Sequence, residues 1–100
     1  MVLCGANSYE KKYYLNPDFE ALPEAVKQEL QISCVLFTED VGGILTVEFE
    51  EDGKLVLKTA ASDGDFAYDE IGAGLKIRQM QREHEELFEA LEEYWQVFYA

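Results

Sequence analysis

A predicted β-hairpin in the middle of the chain constrains the fold more than any other feature. Two runs of alternating apolar and polar residues, Ile44–Glu50 and Lys54–Thr59, flank a loop that ends in Gly53. A three-residue loop pairs Phe49 with Leu55 and gathers the apolar side chains on one face, whereas a two-residue turn divides them between both faces. This loop requires a left-handed backbone at Gly53. The gathered face contains Leu45, Val47, Phe49, Leu55 and Leu57.

A helix is predicted before the hairpin, from Pro23 to about Asp40. Proline at the first helical position followed by Glu24 is typical of a helix N-terminus. The run at residues 32–38 is rich in β-branched and aromatic residues, so a third strand there stays open as an alternative. Apolar residues at spacings of three and four favour the helix, and they are Val26, Leu30, Cys34, Phe37 and Val41.

A long C-terminal helix is predicted to begin between Asp65 and Glu70 and to run to about Phe98. About 28 residues make a helix of roughly 42 Å, at 1.5 Å per residue. That is longer than a domain of this size needs, so we expect part of its apolar seam to contact a second copy of the chain. The seam has heptad spacing and contains the interface candidates Ile77, Met80, His84, Leu87, Leu91, Tyr94 and Phe98.

The expected architecture is one small α+β domain over residues 13–100, with the order helix, β-hairpin, long C-terminal helix. Residues 1–12 show no periodicity, and we expect a flexible N-terminal arm there. A hairpin alone is marginally stable, so its apolar face must pack on both helices and its edges must be covered or paired.

Charge and composition exclude several classes of protein. The net charge of −13 would repel nucleic-acid phosphates, while 48% hydrophobic residues argue against a disordered acidic tail. No apolar run approaches the roughly 20 residues that a membrane-spanning helix needs. The N-terminus lacks the pattern of a signal peptide, so we expect a cytoplasmic protein in which Cys4 and Cys34 are reduced.

The sequence indicates no catalytic, cofactor or metal site. The acids Asp63–Glu70 fit a calcium loop poorly, because Tyr68 stands where glycine is required; helix capping by Asp65 or Asp69 is the preferred interpretation. The pair Glu39-Asp40 has no histidine or nucleophile beside it. His84 is the only histidine, and on a dimer seam it could confer pH sensitivity.

Acidic side chains are the more informative surface feature. After Arg82 the chain contains no further lysine or arginine, and glutamates recur at like-charge helical spacing, which lowers helix stability. A helix optimised for stability alone would include lysines, so a basic protein partner is one interpretation and solvation of the helix is the other. The acidic surface candidates are Glu39, Asp40, Glu85, Glu89 and Glu92.

Three blocks of the sequence resemble an uncharacterised family of small acidic bacterial cytosolic proteins. They are Leu22-Pro23-Glu24, the block from Phe37 to Leu45, and Asp69-Glu70-Ile71-Gly72 followed by Leu75-Lys76-Ile77. The resemblance covers about residue 13 to the C-terminus and implies a bacterial cytosolic setting without an assigned activity. A weaker similarity is to small acidic secretion chaperones, which are compact α+β dimers.

The leading functional hypothesis is a non-enzymatic binding or adaptor protein that acts as a homodimer. An acidic mimic that occupies the nucleic-acid groove of a basic protein is an alternative, with Glu83 also contributing charge. A small chaperone-like protein is another alternative, and a small enzyme using the Glu39-Asp40 and Asp63–Glu70 carboxylates ranks last.

Overall fold

Four antiparallel strands form one sheet in the order β2-β1-β3-β4 in the computed structural model, which describes all 100 residues. A short 3-10 helix at Pro17–Phe19 follows the first two strands. The other elements are β1 (Val2–Asn7), β2 (Lys12–Leu15), α1 (Glu24–Val41), β3 (Ile44–Phe49), β4 (Leu55–Ala60), α2 (Glu70–Glu83) and α3 (Glu85–Phe98).

The α+β class is confirmed, and so is the predicted hairpin register. Phe49 pairs with Leu55, and the Glu50 N–H donates to the Lys54 carbonyl at 2.8 Å across a three-residue loop. Gly53 has φ +88°, the left-handed conformation that this loop requires. Leu45 and Val47 are fully buried, so the apolar pattern of the hairpin selected the face that meets the helices.

The flexible arm predicted for residues 1–12 is wrong, because residues 2–7 form the central strand β1. This strand pairs with β2 on one side and with β3 on the other. A register shift between Val2 and Cys4 allows both Leu3 and Cys4 to be fully buried. Hydrogen bonds from two neighbouring strands hold a segment whose own sequence lacks a strand pattern.

Residues 32–38 belong to α1, so the alternative of a third strand there is wrong. Leu30, Cys34 and Phe37 lie at helical spacing and face the sheet, whereas Ile32 and Leu36 remain exposed. The helix ends at Val41, and its C-cap Gly42 has φ +78°, a backbone conformation that favours glycine.

The single long C-terminal helix is also wrong, because the chain divides into α2 and α3 at His84. His84 has φ −116° and ψ 27°, which interrupts the helical backbone. Met80 of α2 and Phe88 of α3, on either side of this interruption, are both buried in the core. Asp69 caps α2 by accepting a hydrogen bond from the Gly72 N–H at 3.0 Å, as predicted.

The hydrophobic core lies between the helices and one face of the sheet. Most residues of the predicted heptad seam belong to this core or contact it. Met80 and Leu91 are buried, and Ile77, Leu87 and Tyr94 pack against the core. Phe98 is 64% exposed. None of the three helices combines the length and hydropathy that a bilayer-spanning segment needs.

Candidate protein-binding surface

An open cleft of about 260 Å³ lies between α1 and α2, and we call it the α1–α2 cleft. Phe37 and Met80 are its buried apolar residues, while Ile32 and Leu36 stand over it with 59% and 58% of their surface exposed. Because α1 is apolar on more than one side, burying one stripe against the sheet leaves these side chains facing solvent. The cleft is lined by Ile32, Ser33, Leu36, Phe37, Asp40, Lys76, Gln79, Met80, Glu83 and His84.

Polar side chains bridge and border the cleft. Lys76 forms an ion pair with Asp40 at 2.8 Å, linking α2 to α1, and this hydrogen bond raises the pKa of Lys76. Gln79 donates a hydrogen bond to Glu83 at 2.8 Å along α2. An apolar floor with a polar border is the usual composition of a protein-binding patch.

Ser33, His84 and Glu29 come together at one end of the cleft. The Ser33 Oγ lies 3.2 Å from His84 Nε2, and His84 Nδ1 lies 3.8 Å from a Glu29 carboxylate oxygen. The order serine, histidine, carboxylate is that of a nucleophile relay. Ser33, however, is in the interior of α1, where backbone N–H groups are used within the helix and are not free to stabilise an oxyanion. The trio therefore connects the α2–α3 junction to α1.

The acidic candidates are dispersed over the surface. Asp40 is paired with Lys76, and the Glu92 carboxylate accepts a hydrogen bond from the Leu55 N–H at 2.8 Å at the start of β4. Glu39 lines a separate cavity beside β2. Glu85 and Glu89 are exposed and make no ion pair or side-chain hydrogen bond.

A second, acidic cavity of about 690 Å³ lies at the tip of the hairpin, and the sequence reasoning missed it. Trp95 and Phe49 supply aromatic surface, and the Trp95 indole N–H is buried without a hydrogen-bond partner. In the sequence, only the acidic run at residues 48–52 indicates this cavity, because tertiary packing brings Trp95 to it. Its acidic side chains are Glu48, Glu50, Glu51 and Asp52.

The two cysteines, expected from the sequence to be reduced and placed in different parts of the chain, meet in the core. Cys4 of β1 and Cys34 of α1 are both free and fully buried, and their sulfur atoms are 3.9 Å apart. Their spacing in the sequence carries no signal of this contact. No three histidine, cysteine or carboxylate side chains converge in a geometry that could hold a metal ion.

No curated protein and no solved structure gives a significant match to the chain. One family model matches it from residue 1 to residue 100, and its description is a family of unknown function, DUF6145. The match spans the sheet, the three helices and the α1–α2 cleft, including the first strand that the family resemblance drawn from the sequence left outside. The chain therefore belongs to this family of unknown function.

Proposed function

We propose that the chain is a non-enzymatic protein-binding module whose α1–α2 cleft takes an apolar segment of a basic partner. The observation that carries the proposal is the exposure of Ile32 and Leu36, at 59% and 58%, above a floor of Phe37 and Met80. Apolar side chains grouped on the surface of a strongly charged protein are typical of an interaction site.

The size of the cleft favours a protein partner over a small molecule. Its volume of about 260 Å³ is below the roughly 300–1,000 Å³ of small-molecule pockets. A groove between two helices suits an amphipathic helix, which inserts side chains at spacings of three and four.

The charge of the chain supports a basic partner. The net charge is −13, and Glu85 and Glu89 of α3 have no basic neighbour that neutralises them. Such a field attracts cationic proteins and accelerates their association at low salt. The proposal places the protein in the cytoplasm, where the resting state of the two thiols is reduced.

Self-association through the heptad seam has less support than binding of a different protein. Most seam side chains pack on the chain's own core, so the seam as a whole is not free to meet a second copy. Two copies at −13 each repel one another, which opposes that arrangement. Light scattering over a range of concentrations distinguishes the two cases, since our proposal expects the mass of one chain, 11.4 kDa.

The test compares Leu36→Glu with Val97→Glu as affinity baits in nuclease-treated native extract. Both positions are exposed apolar helix residues, at 58% and 76%, but only Leu36 lines the cleft. We expect the wild type and Val97→Glu to capture the same protein at moderate salt, and Leu36→Glu to lose it. If both variants captured the partner equally, the cleft would not be its binding site and the proposal would be wrong.

An acidic mimic of nucleic acid is the second candidate, supported by the unpaired carboxylates of Glu85 and Glu89. Its binding would depend on charge alone, so moderate salt should release the partner. The double variant Glu85→Gln, Glu89→Gln should then weaken capture more than Leu36→Glu does. A partner that survives moderate salt contradicts this candidate and supports the cleft.

A further inference from the structure

The buried sulfur atoms of Cys4 and Cys34 connect two different layers of the fold. Cys4 lies on the central strand β1 and Cys34 on α1, and their sulfurs are in contact at 3.9 Å. Both side chains have 0% exposure. A disulfide requires a sulfur separation of about 2.05 Å, so the two sulfurs must approach one another by about 1.9 Å.

Tyr13 lies between this pair and a cavity of about 590 Å³ beside β2. Its hydroxyl is buried without a normal hydrogen bond, and burial together with the nearby Cys4 raises its pKa. Tyr13 therefore belongs both to the wall of this cavity and to the surroundings of Cys4.

The contact makes each thiol the hydrogen-bond partner of the other, and either sulfur can donate. This hydrogen bond lowers the pKa of Cys4 and raises the pKa of Cys34, while burial raises the pKa of both. The contact therefore favours one thiolate and one thiol side by side.

We propose that Cys4 and Cys34 form a reversible dithiol–disulfide site that is oxidised by hydrogen peroxide. The thiolate of one cysteine attacks one peroxide oxygen and the O–O bond breaks, giving a sulfenic acid and a hydroxide that takes up the released thiol proton. The other cysteine then attacks the sulfur of the sulfenic acid, the S–O bond breaks, and the departing hydroxide takes the proton of this second thiol and leaves as water. Two electrons pass from the two thiols to peroxide.

The disulfide would fasten β1 to α1 and close a loop between residues 30 positions apart. A crosslink of this length restricts the unfolded chain more than the native one, which stabilises the fold. The oxidised protein should therefore melt roughly 10 °C or more above the reduced protein.

The experiment treats the folded wild-type protein with hydrogen peroxide, then unfolds it and adds a thiol-alkylating reagent. We expect the product to lack two hydrogen atoms, to take up no alkyl group, to remain one chain and to recover both thiols with dithiothreitol. Retention of both thiols, formation of only intermolecular disulfides, or a lowered melting temperature would each overturn the proposal.

Single-cysteine variants test whether both thiols are required. In Cys34→Ala and in Cys4→Ala, oxidation should stop at a sulfenic acid that dimedone traps, and peroxide should not raise the melting temperature. Circular dichroism confirms that each variant is folded before treatment. A rise in the melting temperature of either variant after peroxide treatment would contradict the proposal.

Discussion

Glu92 protects the edge of the sheet, and its substitution by alanine isolates that contribution. The Glu92 carboxylate of α3 accepts a hydrogen bond from the Leu55 N–H at 2.8 Å, at the start of the edge strand β4. In Glu92→Ala this partly buried N–H loses its partner. A hydrogen bond to a charged acceptor contributes about 1.5–3 kcal/mol to the free energy of unfolding.

Glu93→Ala is the matched control, because Glu93 is exposed and makes no hydrogen bond or ion pair. Both substitutions remove one negative charge from the middle of α3, so their effects on the helix dipole are matched. Both also introduce the same favourable helix former. The difference between the two variants therefore reports the Glu92–Leu55 hydrogen bond.

Urea unfolding and thermal melting at neutral pH provide the measurement. We expect Glu92→Ala to be less stable than Glu93→Ala by about 1.5–3 kcal/mol, which corresponds to a melting temperature lower by roughly 6–20 °C. Equal stability of the two variants would refute the assigned role of Glu92. A change in the urea m-value would indicate an altered unfolded or native state and invalidate the comparison.

Three further predictions concern the loop, a helix cap and a buried phenol. Gly53→Ala should lower the free energy of unfolding by more than about 1 kcal/mol in urea, because its φ is +88° and a Cβ would collide with the Trp95 ring. Asp69→Ala should cost about 0.5–2 kcal/mol and fray the start of α2, seen as faster amide exchange there. Folding raises the pKa of Tyr13, so the protonated phenol contributes to the free energy of unfolding. This contribution is complete below the unfolded pKa of about 10 and is lost as the pH rises above it. Between pH 8 and pH 11 the melting temperature should therefore fall less in Tyr13→Phe than in the wild type. The control Tyr14→Phe, at an exposed position, should show the same fall as the wild type.

Local patterns predicted the elements whose own residues determine their geometry. The hairpin register follows from two-residue alternation and from Gly53, and the N-cap at Asp69 follows from local side-chain chemistry. The α1 stripe of Leu30, Cys34 and Phe37 likewise reflects a period that operates within one helix.

Tertiary contacts decided the features that local patterns could not. β1 has little strand signal of its own, and pairing with β2 and β3 supplies its hydrogen bonds. The heptad seam was continuous in the sequence, but the helix is interrupted at His84, with residues from both sides of the interruption in the core. A period describes which residues share a face and contains no information about where a helix is interrupted.

The candidate sites depended on tertiary structure to an even greater extent. Acidic composition and apolar excess were readable from the sequence, and they indicated a protein-binding surface. The α1–α2 cleft and the contact between Cys4 and Cys34 required the relative placement of helices and strands. Local sequence determines which side chains an element presents, whereas the packing of distant elements determines which of those side chains meet and which remain exposed.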